Sequence, residues 1–271
     1  MNLKIINSKA KEKGSVKLPT QFSEPVRSDL IKKAVQTILA NNRQPYGANP
    51  EAGKRPSAFL SKRRRKYRGT YGIGQSRTPR KVMSRSGTRF NYVGAVAPQT
   101  VGGRRAHPPK ASKIWTLKIN EKENRKAIRS AMSATIIKDL VEKRGHRTPK
   151  EYPFILSDDV TTIKRTAELV KFLESLGFKE ELERTSQRKI RAGKGKTRGR
   201  KYKARTGILF VVTDMCDLVY ASNNVPGIDV VLAQNLNAYL LAPGGTPGRL
   251  TLFTESAIKK IEEEKLFEKT K

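Results

Sequence analysis

The sequence predicts an α/β fold: a mostly parallel central sheet flanked by helices, a Rossmann-like layered domain, carrying a long extended basic loop after its first helix and a second basic loop further on. Three observations predict it. Short apolar runs alternate with stretches of helical periodicity, the pattern of strands and helices packed in layers. The run Ile208–Val212 shows no alternation of apolar and polar residues, so it reads as a central strand covered on both faces. The charge is also unevenly distributed. The 271 residues carry 57 Lys plus Arg against 24 Asp plus Glu, a formal net charge of +33. Residues 41–112 hold 17 of those bases and one acid, Glu51, and residues 186–206 hold 10 bases and no acid. What is left, 30 bases against 23 acids, is ordinary for a globular domain. The expected organisation is therefore a globular domain from 1–40 and 113–271, an extended loop from 41–112, and a second basic loop from 186–206.

The elements follow in chain order. Leu3 to Ile6 is the first strand. Leu30, Ile31, Ala34, Val35, Ile38 and Leu39 recur at helix spacing, as do Ile128, Met132, Ile136, Ile137, Leu140 and Val141, which predicts two amphipathic helices. Phe154 to Leu156 is a strand. A helix follows from about Thr161 to Leu176, with Gly177 placed to take the left-handed terminating conformation. Ile208 to Thr213, Val230 to Leu232 and the weaker Leu250 to Phe253 are further strands, and a last helix starts after Thr254.

Several function classes are excluded. The apolar run Ile208–Val212 is far short of the roughly 20 residues that span a bilayer, and the N-terminus has no secretory apolar region, so a soluble, unexported protein without a membrane partner is expected. One cysteine, Cys216, and two histidines, His107 and His146, make neither an internal disulfide nor a zinc cluster. GKGKT at 193–197 lacks the earlier phosphate-loop glycine, Ile190 standing there, and the dinucleotide fingerprint starting at Gly72 meets Arg77 where it needs glycine. No cofactor is expected. Asp214 and Asp217 end the central strand and Asp158 and Asp159 follow another, but without a neighbouring histidine or nucleophile elbow they read as caps of turns and helices.

The long loop holds nine glycines and seven prolines and few aliphatic residues, so it cannot bury enough apolar surface to offset its ordering entropy. At net +16 it also repels itself, and a compact conformation needs dense negative charge from outside. The candidate contacts are Arg43, Lys54, Arg55, Lys62, Arg63, Arg64, Arg65, Lys66, Arg68, Arg80, Lys81, Arg85, Arg89, Arg104, Arg105 and Lys110, with His107 beside them. The second loop adds Arg188, Lys189, Arg191, Lys194, Lys196, Arg198, Arg200 and Lys201. Tyr46, Phe59, Tyr67, Tyr71, Phe90 and Tyr92 supply faces on which unpaired bases can stack. Neither loop shows helical periodicity or a DNA-reading motif, so folded RNA suits them better than duplex DNA. Two rival readings are an RNA-modifying enzyme gripping substrate with its loops, which should show a cofactor site, and a cationic architectural protein, which should bind duplex DNA and RNA alike.

The residues bounding the long loop narrow this further. Asn42-Arg43-Gln44-Pro45-Tyr46-Gly47 leads into it and Val101-Gly102-Gly103-Arg104-Arg105-Ala106-His107-Pro108-Pro109-Lys110 leaves it. Downstream stand Asn235-Leu236-Asn237-Ala238, Leu241-Ala242-Pro243-Gly244-Gly245-Thr246-Pro247-Gly248-Arg249-Leu250-Thr251 and Thr254-Glu255-Ser256-Ala257. Together these strings resemble the family of large ribosomal subunit protein four in its archaeal form, over most of the chain. The resemblance implies a non-catalytic ribosomal constituent in the cytoplasm, its globular domain docked on the large subunit and its loop threaded through large-subunit ribosomal RNA. It implies other large-subunit proteins as partners, the nascent polypeptide as a transient one, and Arg249 as a further RNA contact. In that family the loop tip lines the exit tunnel, which places Tyr71, Gly72, Gly74, Gln75 and Arg77 there. Tyr71-Gly72 stands where many relatives carry Trp-Gly.

Overall fold

In the computed structural model, residues 1–66, 69–87 and 89–268 are described. The chain divides into two compact units, Met1–Asn42 with Thr116–Lys271, and Arg43–Trp115. In chain order the elements begin with β1 (Asn2–Ile6), β2 (Glu12–Lys17) and α1 (Ser28–Asn41), followed in the inserted unit by β3 (Arg80–Ser86) and β4 (Arg89–Gly94). The first unit resumes with α2 (Glu121–Ile136), α3 (Lys138–Arg144), β5 (Ile155–Leu156), α4 (Thr166–Ser175) and α5 (Lys179–Ser186). It ends with β6 (Lys189–Ile190), β7 (Tyr202–Lys203), β8 (Leu209–Val212), α6 (Asp217–Ser222), β9 (Asp229–Leu232), α7 (Ala238–Leu241), β10 (Thr251–Phe253) and α8 (Glu255–Glu263).

The α/β class holds, and the sheet differs from the single Rossmann-like one expected. Two three-stranded sheets form: β2-β1-β5, in which β2 runs antiparallel, and the all-parallel β10-β8-β9. A lone parallel bridge between Leu156 and Thr254 joins their edges. The physical reason is length, since β5 has two residues and β10 three, too few to sustain a ladder between them. β8 is buried along its whole length. Because side chains alternate across a strand, Leu209 and Val211 enter one apolar cluster with Ile31, Val35, Met132 and Ile258, while Ile208, Phe210 and Val212 enter a second with Leu169, Leu173 and Leu218. Helices therefore cover both faces of this strand.

The helix expected through Val141 is broken. Ile137 adopts an extended conformation (φ −82°, ψ 103°) between α2 and α3. The carbonyl of Thr135, freed by the break, accepts the buried Tyr152 hydroxyl instead. α3 then ends at Gly145, whose φ of +103° suits glycine. The helix expected from Thr161 starts later, at Thr166, and ends as expected before Gly177 at φ +83°. α8 begins after Thr254, whose Oγ1 accepts the Ala257 N–H at 3.3 Å.

Among the elements with no counterpart in the apolar pattern are two in the body of the larger unit. β2 is almost wholly exposed. α5 buries Glu181 and Thr185, a polar face in place of an apolar one.

Candidate nucleic-acid interface

In the inserted unit, the chain enters and leaves side by side. Ala48 N–H donates to the Pro109 carbonyl at 3.0 Å, and a Cβ on Gly47 would lie 2.5 Å from the Ala111 nitrogen, so only glycine permits this approach. Tyr46 and Trp115 stack with centroids 5.8 Å apart and planes 15° from parallel. The Arg43 guanidinium lies 3.6 Å from the Trp115 ring centre and Lys113 Nζ 4.3 Å from it, both within cation–π range. Beside this pair opens a cleft of about 480 Å³ lined by Arg105, His107, Lys110 and Lys113 among others. The indole N–H of Trp115 is buried without an acceptor. Trp115 was missed by pattern because it falls just past the basic loop, although it is the chain's only tryptophan.

Further out, β3 and β4 form an antiparallel ribbon, a regular element where an extended loop was expected. The signal lay in Arg89-Phe90-Asn91-Tyr92, alternating exposed and half-buried, next to Gly87 at φ +57°. Phe90 and Tyr92 stack at 5.7 Å, and Arg85 sits 5.4 Å from the Phe90 ring while its Nε donates to the Gly87 carbonyl. Arg80 acts as a brace, its Nη1 donating to the Ser76 carbonyl at 2.6 Å and its Nη2 to Ser76 Oγ at 2.7 Å. Arg104 is half-buried, where Gly53 packs closely on its backbone. Lys54, Arg55, Lys62, Arg63, Arg64, Arg65, Lys66 and Arg89 are exposed, and Lys81 is half-buried. Tyr67 and Arg68 lie outside the described residues.

In residues 71–77, Tyr71 is flanked by Arg64 at 5.9 Å and Arg77 at 5.3 Å, and the Arg77 guanidinium reaches its hydroxyl at 3.5 Å. Gly72 and Gly74 have φ of +78° and +66°, and among the described residues nothing lies within 4 Å of where a Cβ on either would stand. Gln75 is exposed beside them.

In residues 186–206, Arg188, Lys189, Lys194, Lys196, Arg198, Arg200 and Lys201 are exposed. Arg191 is a strut, its Nε donating to the Arg200 carbonyl at 3.0 Å and its Nη2 to that of Tyr202 at 3.3 Å. Among the described residues no Lys or Arg of this stretch or of the inserted unit is paired with a carboxylate.

Arg249 departs from expectation. It is 1% exposed, and its guanidinium donates to the Gly207 and Leu240 carbonyls, each at 3.0 Å, and to the Asp229 carboxylate. Each of the three guanidinium nitrogens bonds within the fold, and a group so enclosed presents no surface to a phosphate. The carboxylates at the strand ends are employed too. Asp158 Oδ1 accepts the Ser256 N–H at 3.1 Å in the first turn of α8, and Asp214 pairs with Lys260 at 3.2 Å. Asp159 accepts the Ser157 hydroxyl, and Asp217 lies in the first turn of α6. Cys216 is half-buried, and burial pushes its thiol up. Among the described residues no group of three or more His, Cys, Asp and Glu could hold a metal ion, and no helix is long and apolar enough to cross a membrane.

Comparison with known proteins agrees with the flanking strings. The family model described as Ribosomal protein L4/L1 family matches residues 16–264. The large ribosomal subunit protein uL4 of Nanoarchaeum equitans is 46% identical over 98% of this chain and 100% of its own length. That of Methanococcoides burtonii is 45% identical over 95% and 96%, and that of Halobacterium salinarum 42% over 92% and 94%. With its loop-bounding motifs, its unpaired cations and a family match across nearly its whole length, the chain belongs to the ribosomal protein L4/L1 family.

Proposed function

We propose that the protein is a structural constituent of the large ribosomal subunit that binds large-subunit rRNA through the inserted unit and the 186–206 arm and supports assembly of the subunit. One observation carries this reading. The inserted unit holds 18 bases against one acid, and among its described residues Ala95 is the only buried apolar side chain. A unit with neither a core nor charge neutrality of its own needs a partner that supplies both shape and negative charge, as packed RNA helices do. Counterion release then rewards each phosphate contacted.

The tip residues Tyr71, Gly72, Gly74, Gln75 and Arg77 are proposed to reach the nascent-peptide exit tunnel, where the nascent polypeptide passes them transiently. Their exposure and the open space around Gly72 and Gly74 support it. Other large-subunit proteins are the remaining partners. The role is non-catalytic, since the strand-end carboxylates are occupied in caps and ion pairs.

The test removes residues 55–95 from the full chain. The remaining protein is expected to melt cooperatively yet fail to yield correctly assembled large subunits. Normal assembly with an unchanged exit tunnel would refute the role given to this unit.

A further inference from the structure

A second kind of contact is built into the folded unit itself. Between the end of α3, α5, the foot of the β6–β7 ribbon and the Pro243–Gly245 turn lies an open cleft of about 600 Å³, lined by Gly145, Gly244, Arg184, Lys189, Lys203 and Arg205 among others. Lys189 and Lys203 are directly opposite each other in the ribbon register. Like charges so placed repel across a ladder, and among the described residues neither is paired with a carboxylate. Arg205 gives one bond, to the Arg184 carbonyl at 3.2 Å, and has no carboxylate partner either.

The floor of the cleft is tied together by hydrogen bonds. Arg184 donates to Glu181 at 2.7 and 2.8 Å and to the Thr206 carbonyl at 2.7 Å. Glu181, fully buried, is held in turn by His146 at 2.7 Å and by the Arg147 N–H at 3.0 Å. Next to it Arg144 donates to the Pro243 carbonyl at 2.6 Å and to Thr246 Oγ1 at 2.8 Å, with no carboxylate partner among the described residues. Burial, with the charges of Arg249 and Arg184 adding to it, pushes Arg144 down to about 10.

Resting on the RNA-binding reading above, we propose that this cleft is a docking site for a backbone phosphate of RNA, held by Lys189, Lys203 and Arg205 over the Arg184 floor. The occupant is a phosphodiester and not a free anion, because the cleft continues into the arm whose Lys194, Lys196, Arg198 and Arg200 are exposed and unpaired. A phosphate here relieves the cross-strand repulsion that the free chain carries.

The experiment compares full-length protein with a Lys189→Gln, Lys203→Gln double variant and a Lys171→Gln control on α4, binding a transcript of archaeal large-subunit rRNA across a KCl series. Loss of one phosphate contact should flatten the log K against log salt slope by about 0.7 to 0.9 and weaken binding at 100 mM roughly five- to eightfold. Lys203→Arg should keep the slope, and the double variant without RNA should melt no lower than wild type. A folded double variant with wild-type slope and affinity would overturn the site. So would inorganic phosphate raising the melting temperature of the wild type alone while the RNA slope stays unchanged, which marks a free-anion site. Wild-type protein with no affinity for the transcript gives no slope to compare and instead removes the RNA-binding reading itself.

Discussion

Arg249 separates two accounts of one residue. If it were a phosphate contact, replacing it would lower RNA affinity and flatten its salt dependence while leaving the free protein unaffected. The structure assigns it to the interior, so Arg249→Met should act on stability. Methionine fills most of the volume of the side chain and leaves the Gly207 and Leu240 carbonyls without donors. Each stranded buried carbonyl costs about 1–3 kcal/mol. Asp229 is 52% exposed and regains water, so its lost partner adds at most about 1 kcal/mol. The loss is then about 4 kcal/mol, and at roughly 2–4 °C per kcal/mol for a unit of this size the melting temperature falls by about 8–16 °C. Thermal denaturation followed by circular dichroism measures it, and RNA binding at a temperature where both proteins are folded supplies the second reading. A melting temperature within about 3 °C of wild type, together with a flatter salt slope, would refute the buried assignment.

Two further outcomes test particular contacts. Burial, opposed by Glu181 and reinforced by Arg184 and Arg144, holds His146 below its usual range, and the Arg184 and His146 bonds hold Glu181 low against its own burial. The unfolded chain therefore takes up protons that the folded one refuses, and stability should fall as pH drops from about 7 to 5, then further as Glu181 protonates; in His146→Gln the first of these limbs should vanish from pH-dependent denaturation curves. Gly47→Val should force the entering and leaving chains of the inserted unit apart, because its Cβ would lie 2.5 Å from the Ala111 nitrogen. Trp115, the single tryptophan, should report this as a shift in fluorescence as its stack with Tyr46 and Arg43 loosens, and an unaltered spectrum would count against the close approach.

What could be read from the sequence tracks how far each feature depends on local pattern. β8 was plain because a strand covered on both faces has no alternation to hide. α1 and the capped start of α8 were plain because apolar spacing and a Thr N-cap are local signals. The break at Ile137 was invisible because apolar periodicity continues through it, and the partner that satisfies Thr135, Tyr152, comes from another segment. α5 was invisible because its buried face is Glu181, whose partners His146 and Arg147 lie outside the helix. The site shows the same division. The charge partition located the cationic stretches, but composition cannot say which cations point outward. Arg191 and Arg80 turned out to brace their own loops, and Arg249, in a segment chosen by resemblance, is buried with Asp229 twenty residues away.

The deeper regularity lies in where the acids went. In the larger unit, several half-buried or buried arginines have carboxylates of their own: Arg129 has Glu24 at 3.0 Å, Arg184 has Glu181, and Arg249 has Asp229, while the half-buried Arg144, Arg191 and Arg205 bond backbone carbonyls. These pairs let guanidinium groups enter or border a core without an uncompensated charge. The inserted unit has a single acid, Glu51, and so cannot use that solution. Its cations must stay at the surface, where at physiological salt the screening length of about 8 Å leaves near neighbours repelling one another. Exposure and repulsion together oppose a core, which is why glycine-mediated backbone approaches and cation–π contacts hold this unit in place of apolar packing. Contacts of that kind are individually weak, and they leave the positive charges free. A polyanion that neutralises those charges removes the main force against order in the same step that it forms the complex, so on the proposed RNA-binding role the ordering of this unit and its binding are one thermodynamic event.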